Sequence, residues 1–150
     1  MPIQIREATV QDAEAIAQLS AVCMGYDYPI ADTAENLRHV LVSPCDTVFV
    51  AVAEGKTVGY IHANEYRVLY APFMVNIMGI SVAPSCRRCG IGRQLLSAVE
   101  HWARKRGAAA IRLVSGACRT EAHSFYRNYG FDCGKDQKNF KKGLWVKHSK

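Results

Sequence analysis

The 150-residue sequence contains no apolar run near the length, about 18 residues, that a membrane-spanning helix requires. Its first residues, MPIQIREATVQDAEAIAQL, carry acids early and lack the basic-then-apolar order of a secretory leader. The expected compartment is therefore the cytoplasm, with no membrane partner. No internal repeat, low-complexity tract or linker breaks the chain, so one domain over residues 1–150 is expected. Two phosphate motifs are missing as well. No G-x-x-x-x-G-K-[ST] occurs, which excludes a P-loop. The G-x-G at Gly90 to Gly92 has Leu95 where a dinucleotide fingerprint needs its third glycine.

Cysteine is present but poorly arranged for metal. The six lie at 23, 45, 86, 89, 118 and 133. Cys86 and Cys89 have C-x-x-C spacing, yet neither Cys118 with His123 nor Cys133 makes a second close pair, so no metal is expected. Without a leader the thiols are expected to be reduced. Nineteen Lys and Arg against thirteen Asp and Glu give a net charge of +6, enough to attract an anionic ligand or surface. No helix-turn-helix, zinc-finger or RNP pattern accompanies that charge, so no nucleic-acid partner is expected.

Apolar periodicity supplies the elements. Ile3 to Ala8 alternates as a strand, and Thr9 with Asp12 three residues on marks a helix start. Val10, Ala13, Ile16, Ala17 and Ser20 keep helical spacing until Gly25 and Pro29. A second helix is expected after Asp32 or Thr33, ending at Pro44. Thr47 to Ala53 and Thr57 to Tyr66 read as a hairpin across Glu54-Gly55-Lys56. Phe73 to Val82 is a further strand. A helix from Gly92 is expected to bury Leu95, Leu96, Val99, Trp102 and Ala103, with Gly107 closing it. Ala109 to Ser115 is a short strand. Ala122, Phe125, Tyr126 and Tyr129 share a last helix ending at Gly130, and GFDCG and FKKGLWVK are expected to be final strands. The fold class is thus α/β (α+β), a mixed, mostly antiparallel central sheet with one parallel pair and helices packed on it.

The stretch CRRCGIGRQLL joins a strand end to a helix start. Amide hydrogens there have no internal partner and the helix dipole favours an anion. Gly90 and Gly92 allow close backbone approach, and Arg87, Arg88 and Arg93 add fork-shaped donors suited to phosphate. These residues describe a diphosphate cradle. A turn that merely caps the helix, with surface arginines, is the plainer alternative.

R-R-C-G-I-G, from Arg87 to Gly92, resembles the acetyl-coenzyme A signature [QR]-x-x-G-x-[GA] of the GNAT N-acetyltransferase superfamily. RTEAHSFYRNYGF is similar to its second signature, N-x-x-A-x-x-F-Y-x-x-x-G-F, through Ala122, Phe125, Tyr126, Gly130 and Phe131. Arg119 departs from the Asn that many members carry. The resemblance implies a sheet with a splayed parallel pair and helices on both faces, and acetyl-CoA as co-substrate. It implies cofactor contacts at Ile80, Ser81, Val82, Arg87, Arg88, Cys89, Gly90, Ile91, Gly92, Arg93, Arg119, Ala122 and Phe125. It implies an oxyanion donor near Ile80 to Val82 and Tyr126 as the acid that protonates the leaving thiolate.

For the base, Glu65 is the first candidate, with an exposed strand-end acid as the alternative. His62 and Asn76 are candidates for the cleft, and His123 for orienting Tyr126. Tyr26, Asp27, Tyr28, Asp32 and Asn76 are the candidate acceptor-binding residues, able to stack on or pair with a cationic amine. The expected function is transfer of the acetyl group to a primary amine of a small molecule or protein, by direct attack in a ternary complex. A non-catalytic acyl-CoA-binding module and a basic nucleic-acid-binding domain are the alternatives, and a homodimer is a possible assembly.

Overall fold

The computed structural model describes residues 2–117 and 119–145. Cys118, weighed above as a metal ligand, lies outside them. The chain divides into two compact units, Met1–Val114 and Ser115–Lys150.

The first unit holds a five-stranded sheet in the order β1-β2-β3-β4-β5. The strands are β1 (Ile3–Glu7), β2 (Asp46–Ala53), β3 (Lys56–Tyr66), β4 (Met74–Val82) and β5 (Ile111–Leu113). Neighbours pair antiparallel except β4 with β5, which are parallel. Glu54 and Gly55 both have positive φ, at 50° and 77°, the backbone that a two-residue hairpin turn needs to match strand twist. This turn fixes the β2–β3 register.

Between β1 and β2 lie α1 (Ala13–Met24) and α2 (Ile30–Val42), and α3 (Ile91–Lys105) follows β4. Alternation along β3 puts them on opposite faces of the sheet. The Tyr60 hydroxyl bonds the Ser20 hydroxyl of α1 at 2.7 Å. A Cβ on the adjacent Gly59 would meet α3, with Ile91 Cγ2 and Leu95 Cδ1 each at 3.3 Å. Leu95, Leu96, Val99 and Ala103 form the buried stripe of α3, as their spacing predicts; Ile91 extends it at the helix start, and Trp102, expected on this face, is only half-buried.

The chain enters α1 through one turn of 3₁₀ helix, Val10–Asp12. Asp12 is the anchor there. Its carboxylate takes the Thr9 N–H at 2.8 Å, both ends of the Arg6 guanidinium at 2.9 Å, and the Thr57 hydroxyl at 3.2 Å. Burial alone would raise this carboxyl; the Arg6 bonds, the Thr9 amide, the Arg6 charge and Thr57 together hold it below the usual range.

Three expectations need correction. The second helix starts at Ile30, before Asp32, because Pro29 serves as its N-cap and its carbonyl takes the Thr33 N–H at 2.9 Å. The strand expected over Ala109 to Ser115 shrinks to Ile111–Leu113, since its pairing with β4 spans three residues. GFDCG and FKKGLWVK form no strand among the described residues. Phe140, Leu144 and Trp145 are exposed, and charged residues and glycines separate them too widely to build a half-buried strand. Val146 and Lys147 of that stretch lie outside the described residues.

The second unit contains α4 (Thr120–Tyr129), closed by Gly130 at φ 121°.

Candidate active site

The central feature is a gap in the sheet. β4 runs to Val82, but its pairing with β5 ends at the Ile77–Leu113 rung, while its pairing with β3 continues to Val82–Gly59. A bulge at Met78 shifts the β3–β4 register at this point. Beyond it the antiparallel alternation decides which main-chain groups remain open. The Ala83 N–H bonds the Val58 carbonyl at 2.8 Å, so Ala83 and Ser81 direct their backbone groups toward β3. Ile80 and Val82 direct theirs to the other edge. Side chains already reach that edge: the Cys23 thiol donates to the Val82 carbonyl at 3.2 Å, and Arg87 Nε reaches it at 3.4 Å. Of the three expected backbone contacts, Ile80 and the N–H of Val82 thus face that edge, the Val82 carbonyl is taken by Cys23 and Arg87, and Ser81 is committed to the ladder with its side chain buried.

The cradle follows directly. After Pro84–Cys86 the chain turns through Arg88, which takes φ 66°, and Gly90, which caps α3 at φ 82°. A Cβ on Gly90 would meet nothing within 4 Å, so the space above it is free for a ligand while its φ demands glycine. The first α-helical bond that closes on Gly90 is made by Gln94, at 3.0 Å. The amides of Ile91 and Gly92 therefore precede the helical ladder. Arg87, Arg88, Cys89 and Arg93 are exposed around them. The amides of Ile91 and Gly92 at a helix start, a bare glycine and the guanidinium groups of Arg87, Arg88 and Arg93 fit a diphosphate.

On the α1 and α2 face is a cavity of about 700 Å³. Met24, Tyr26, Tyr28, Tyr60, Met78 and Gly79 shape it, together with aliphatic residues of both helices. Met78 and Gly79 come immediately before the open edge of β4, so one strand segment borders both features. Burial pushes the Tyr60 hydroxyl upward, with the Ser20 and Ser81 hydroxyls opposing; Tyr60 stays a neutral phenol near pH 7.

The structure separates the acceptor and base candidates. Tyr26, Tyr28 and His62 line the cavity; Asp27, Asp32 and Asn76 are not among its lining residues. Asn76 Oδ1 instead takes Arg112 Nη1 at 2.6 Å. Glu65 is three residues from His62 on β3, hence on the α3 face. There it pairs with Arg106, whose guanidinium also bonds the Pro44 carbonyl, and stands 3.9 Å from Arg67. The structure does not bring Glu65 to the cavity.

In the second unit, Tyr126 is buried between Phe125 and Phe131, at ring-centroid distances of 5.5 and 5.8 Å. Burial pushes its hydroxyl upward and the Arg119 charge opposes this, so the phenol holds its proton at neutral pH. Ala122 and Phe125 are half-buried and Arg119 is exposed on the same helix start. The orienting role expected of His123 has no support here: its Nε2 lies 2.8 Å from the Gly116 carbonyl instead.

Sequence reasoning missed Asp46. It sits at the first position of β2, with Oδ1 at 2.8 Å from His62 Nε2 and Oδ2 accepting the Ser43 hydroxyl at 2.7 Å. The signal was the hairpin register, which puts Asp46 diagonally across from His62.

The sequence model described as the acetyltransferase (GNAT) family matches residues 13–131. The chain belongs to this family. It is an acetyl-CoA-dependent acetyltransferase, and the open amides and arginines before α3 suit that co-substrate. An aminoglycoside N(6')-acetyltransferase type 1 from Stenotrophomonas maltophilia is 33% identical over 133 residues, covering 85% of each chain. Another of the same description, from Klebsiella aerogenes, is 29% identical over 62% of this chain and 65% of its own. Among solved structures, AAC(6')-Iy in complex with the bisubstrate analogue CoA-S-monomethyl-acetylneamine superposes with a TM-score of 0.84 at 21% identity, covering 96% of this chain and all of that one. At that identity the likeness establishes the fold alone, and this fold is the mixed sheet with a splayed parallel pair expected from the sequence.

Proposed function

We propose that this acetyltransferase acts on a primary amine of a small molecule, by direct attack within a ternary complex. The observation that carries the reading is the shared use of β4: Met78 and Gly79 border a cavity of small-molecule size, and Ile80 next to them presents an open N–H. Acetyl-CoA supplies a thioester acetyl group activated toward nucleophiles. The amides of Ile91 and Gly92, with Arg87, Arg88 and Arg93 side chains, bind its diphosphate. The backbone edge at Ile80 and Val82 orients its pantetheine arm, and the Ile80 N–H stabilises the oxyanion. Tyr126, at the motif position of the family acid, gives its proton to the leaving thiolate. Cys89, Arg119, Ala122 and Phe125 complete the motif positions assigned to the cofactor.

The cavity also supports an acceptor class. No Asp, Glu, Lys or Arg is among its described lining residues, while Tyr26, Tyr28 and Tyr60 are. Aromatic faces hold one ammonium well; several ammonium groups need carboxylates to offset their desolvation. The favoured acceptor carries one amino group on an apolar or aromatic body. The second reading, an aminoglycoside acceptor, is favoured by the Stenotrophomonas maltophilia relative.

A thiol-release assay across arylalkyl monoamines, polyamines, aminoglycosides and a lysine peptide separates them. The monoamine reading predicts kcat/KM at least about tenfold higher for the best monoamine than for any aminoglycoside, the ratio expected when about 1.4 kcal/mol of desolvation is left uncompensated. A preference for aminoglycosides overturns it, and turnover of the peptide alone overturns the small-molecule assignment.

A further inference from the structure

We infer that His62 is the general base that takes the proton from the acceptor amine, held in the required tautomer by Asp46. The inference rests on the acetyltransferase reading above and adds the residue that activates the acceptor. An ammonium has no lone pair, so attack on a thioester needs a group that removes a proton at or beside the cavity. Glu65, the carboxylate expected to do so, is held by Arg106 on the other face of the sheet.

His62 has the placement that Glu65 lacks. It lines the cavity, directly across from Gly79 of β4. Asp46 Oδ1 lies 2.8 Å from Nε2, and the second oxygen of that carboxylate is fixed by the Ser43 hydroxyl at 2.7 Å. A carboxylate accepts and does not donate, so the neutral ring carries its proton on Nε2 and its lone pair on Nδ1. No second partner of the imidazole occurs among the described residues. Ser43, Asp46 and His62 thus form a chain in which the far groups hold the near one in a basic form, the logic of a carboxylate-oriented imidazole.

The groups around His62 leave it this role. The titratable groups on the cavity are Tyr60 on its own strand, His39 on α2, and Tyr26 and Tyr28 between the helices; Asp46 faces it from β2. Neither α1 nor β4 brings a charged side chain to the cavity among the described residues. In the step, Nδ1 first takes a proton from the acceptor ammonium, which frees the nitrogen lone pair, and the imidazolium returns that proton to solvent. The amine then attacks, the N–C bond forms and the C–S bond breaks; the thiolate receives its proton from Tyr126, and the second proton lost by the nitrogen restores the phenol through solvent.

The test uses the full chain and an amine that the wild type acetylates. His62→Gln is expected to lose about 10²-fold or more in kcat/KM, with coenzyme A affinity by calorimetry unchanged. The acidic limb of the wild-type pH profile, where activity rises as imidazole loses its proton, disappears in this variant. His62→Ala is expected to regain turnover with added imidazole, which a merely structural histidine does not do. Should the His62 variants fail to melt cooperatively, Asp46→Asn carries the test, with at least about a tenfold loss and a displaced acidic limb. Full kcat/KM and an unmoved limb in His62→Gln, or in Asp46→Asn if only that variant folds, overturns the inference. A wild type that acetylates no amine in the panel instead refutes the reading on which it rests.

Discussion

Ile77 and Leu113 form the last rung between β4 and β5, and Ile80, three residues further along β4, already has an unpaired edge. The gap is made by local causes. Met78 is the extra residue of a bulge, and β5 is only three residues long. The chain reaches α3 from the open end of β4 through the tight turn at Gly90, so the free edge and the free helix amides belong to one continuous segment.

Gly90→Glu places a Cβ at φ 82° and a negative charge among the amides proposed to bind the diphosphate. Left-handed backbone costs a non-glycine residue about 1–2 kcal/mol, and the charge adds to this. Calorimetry is expected to show coenzyme A binding weakened by more than about tenfold. Binding within a factor of two of wild type would place the diphosphate elsewhere.

Tyr126→Phe keeps the ring between Phe125 and Phe131 and removes the proton. The expected result is a kcat lower by about 10²-fold with unchanged coenzyme A affinity. An unaltered kcat under conditions where chemistry limits the rate would remove Tyr126 from the mechanism.

Gly59 is required by packing rather than by φ. Its added Cβ would lie 3.0 Å from the Ser81 carbonyl oxygen and 3.3 Å from Ile91 and Leu95 side-chain atoms. Gly59→Val overpacks the seam between β3, β4 and α3. A loss of about 1–3 kcal/mol is expected in denaturant unfolding, and an unchanged midpoint would show that α3 is free to shift.

Asp12 makes stability depend on acid. Its folded-state carboxyl is held below the unfolded value of about 3.8, so its contribution is present above that value and is lost as pH falls through the depressed one. Asp12→Asn is expected to cost about 2 kcal/mol at pH 7 and to flatten the stability profile below pH 4. Equal acid sensitivity in both proteins would show that other carboxylates control the transition.

Much of this architecture was legible because its periods are strong. The α3 stripe, the Glu54-Gly55 hairpin and the glycine-arginine loop each express a local rule, and each stands where the sequence puts it. The site divided along a different line. Tyr26 and Tyr28 lie on the cavity. Asn76 and Glu65 do not, because each is taken by an arginine distant in sequence, Arg112 and Arg106. Pairings that join separate elements leave no local pattern. Asp46 was overlooked for the same reason: its partner His62 is found only when the hairpin register is followed to its far end. The expected terminal strands failed because isolated aromatic residues such as Phe140 and Trp145 were read as strand signals without enough apolar neighbours to bury them.

The most direct measurement is titration of the wild-type chain with coenzyme A at low and moderate ionic strength, followed by NMR or hydrogen exchange at individual amides. The account predicts saturable binding that weakens with salt, with the largest protection at the amides of Ile80, Val82, Ile91 and Gly92. No saturation at millimolar ligand, or protection that leaves those amides unchanged, would contradict it.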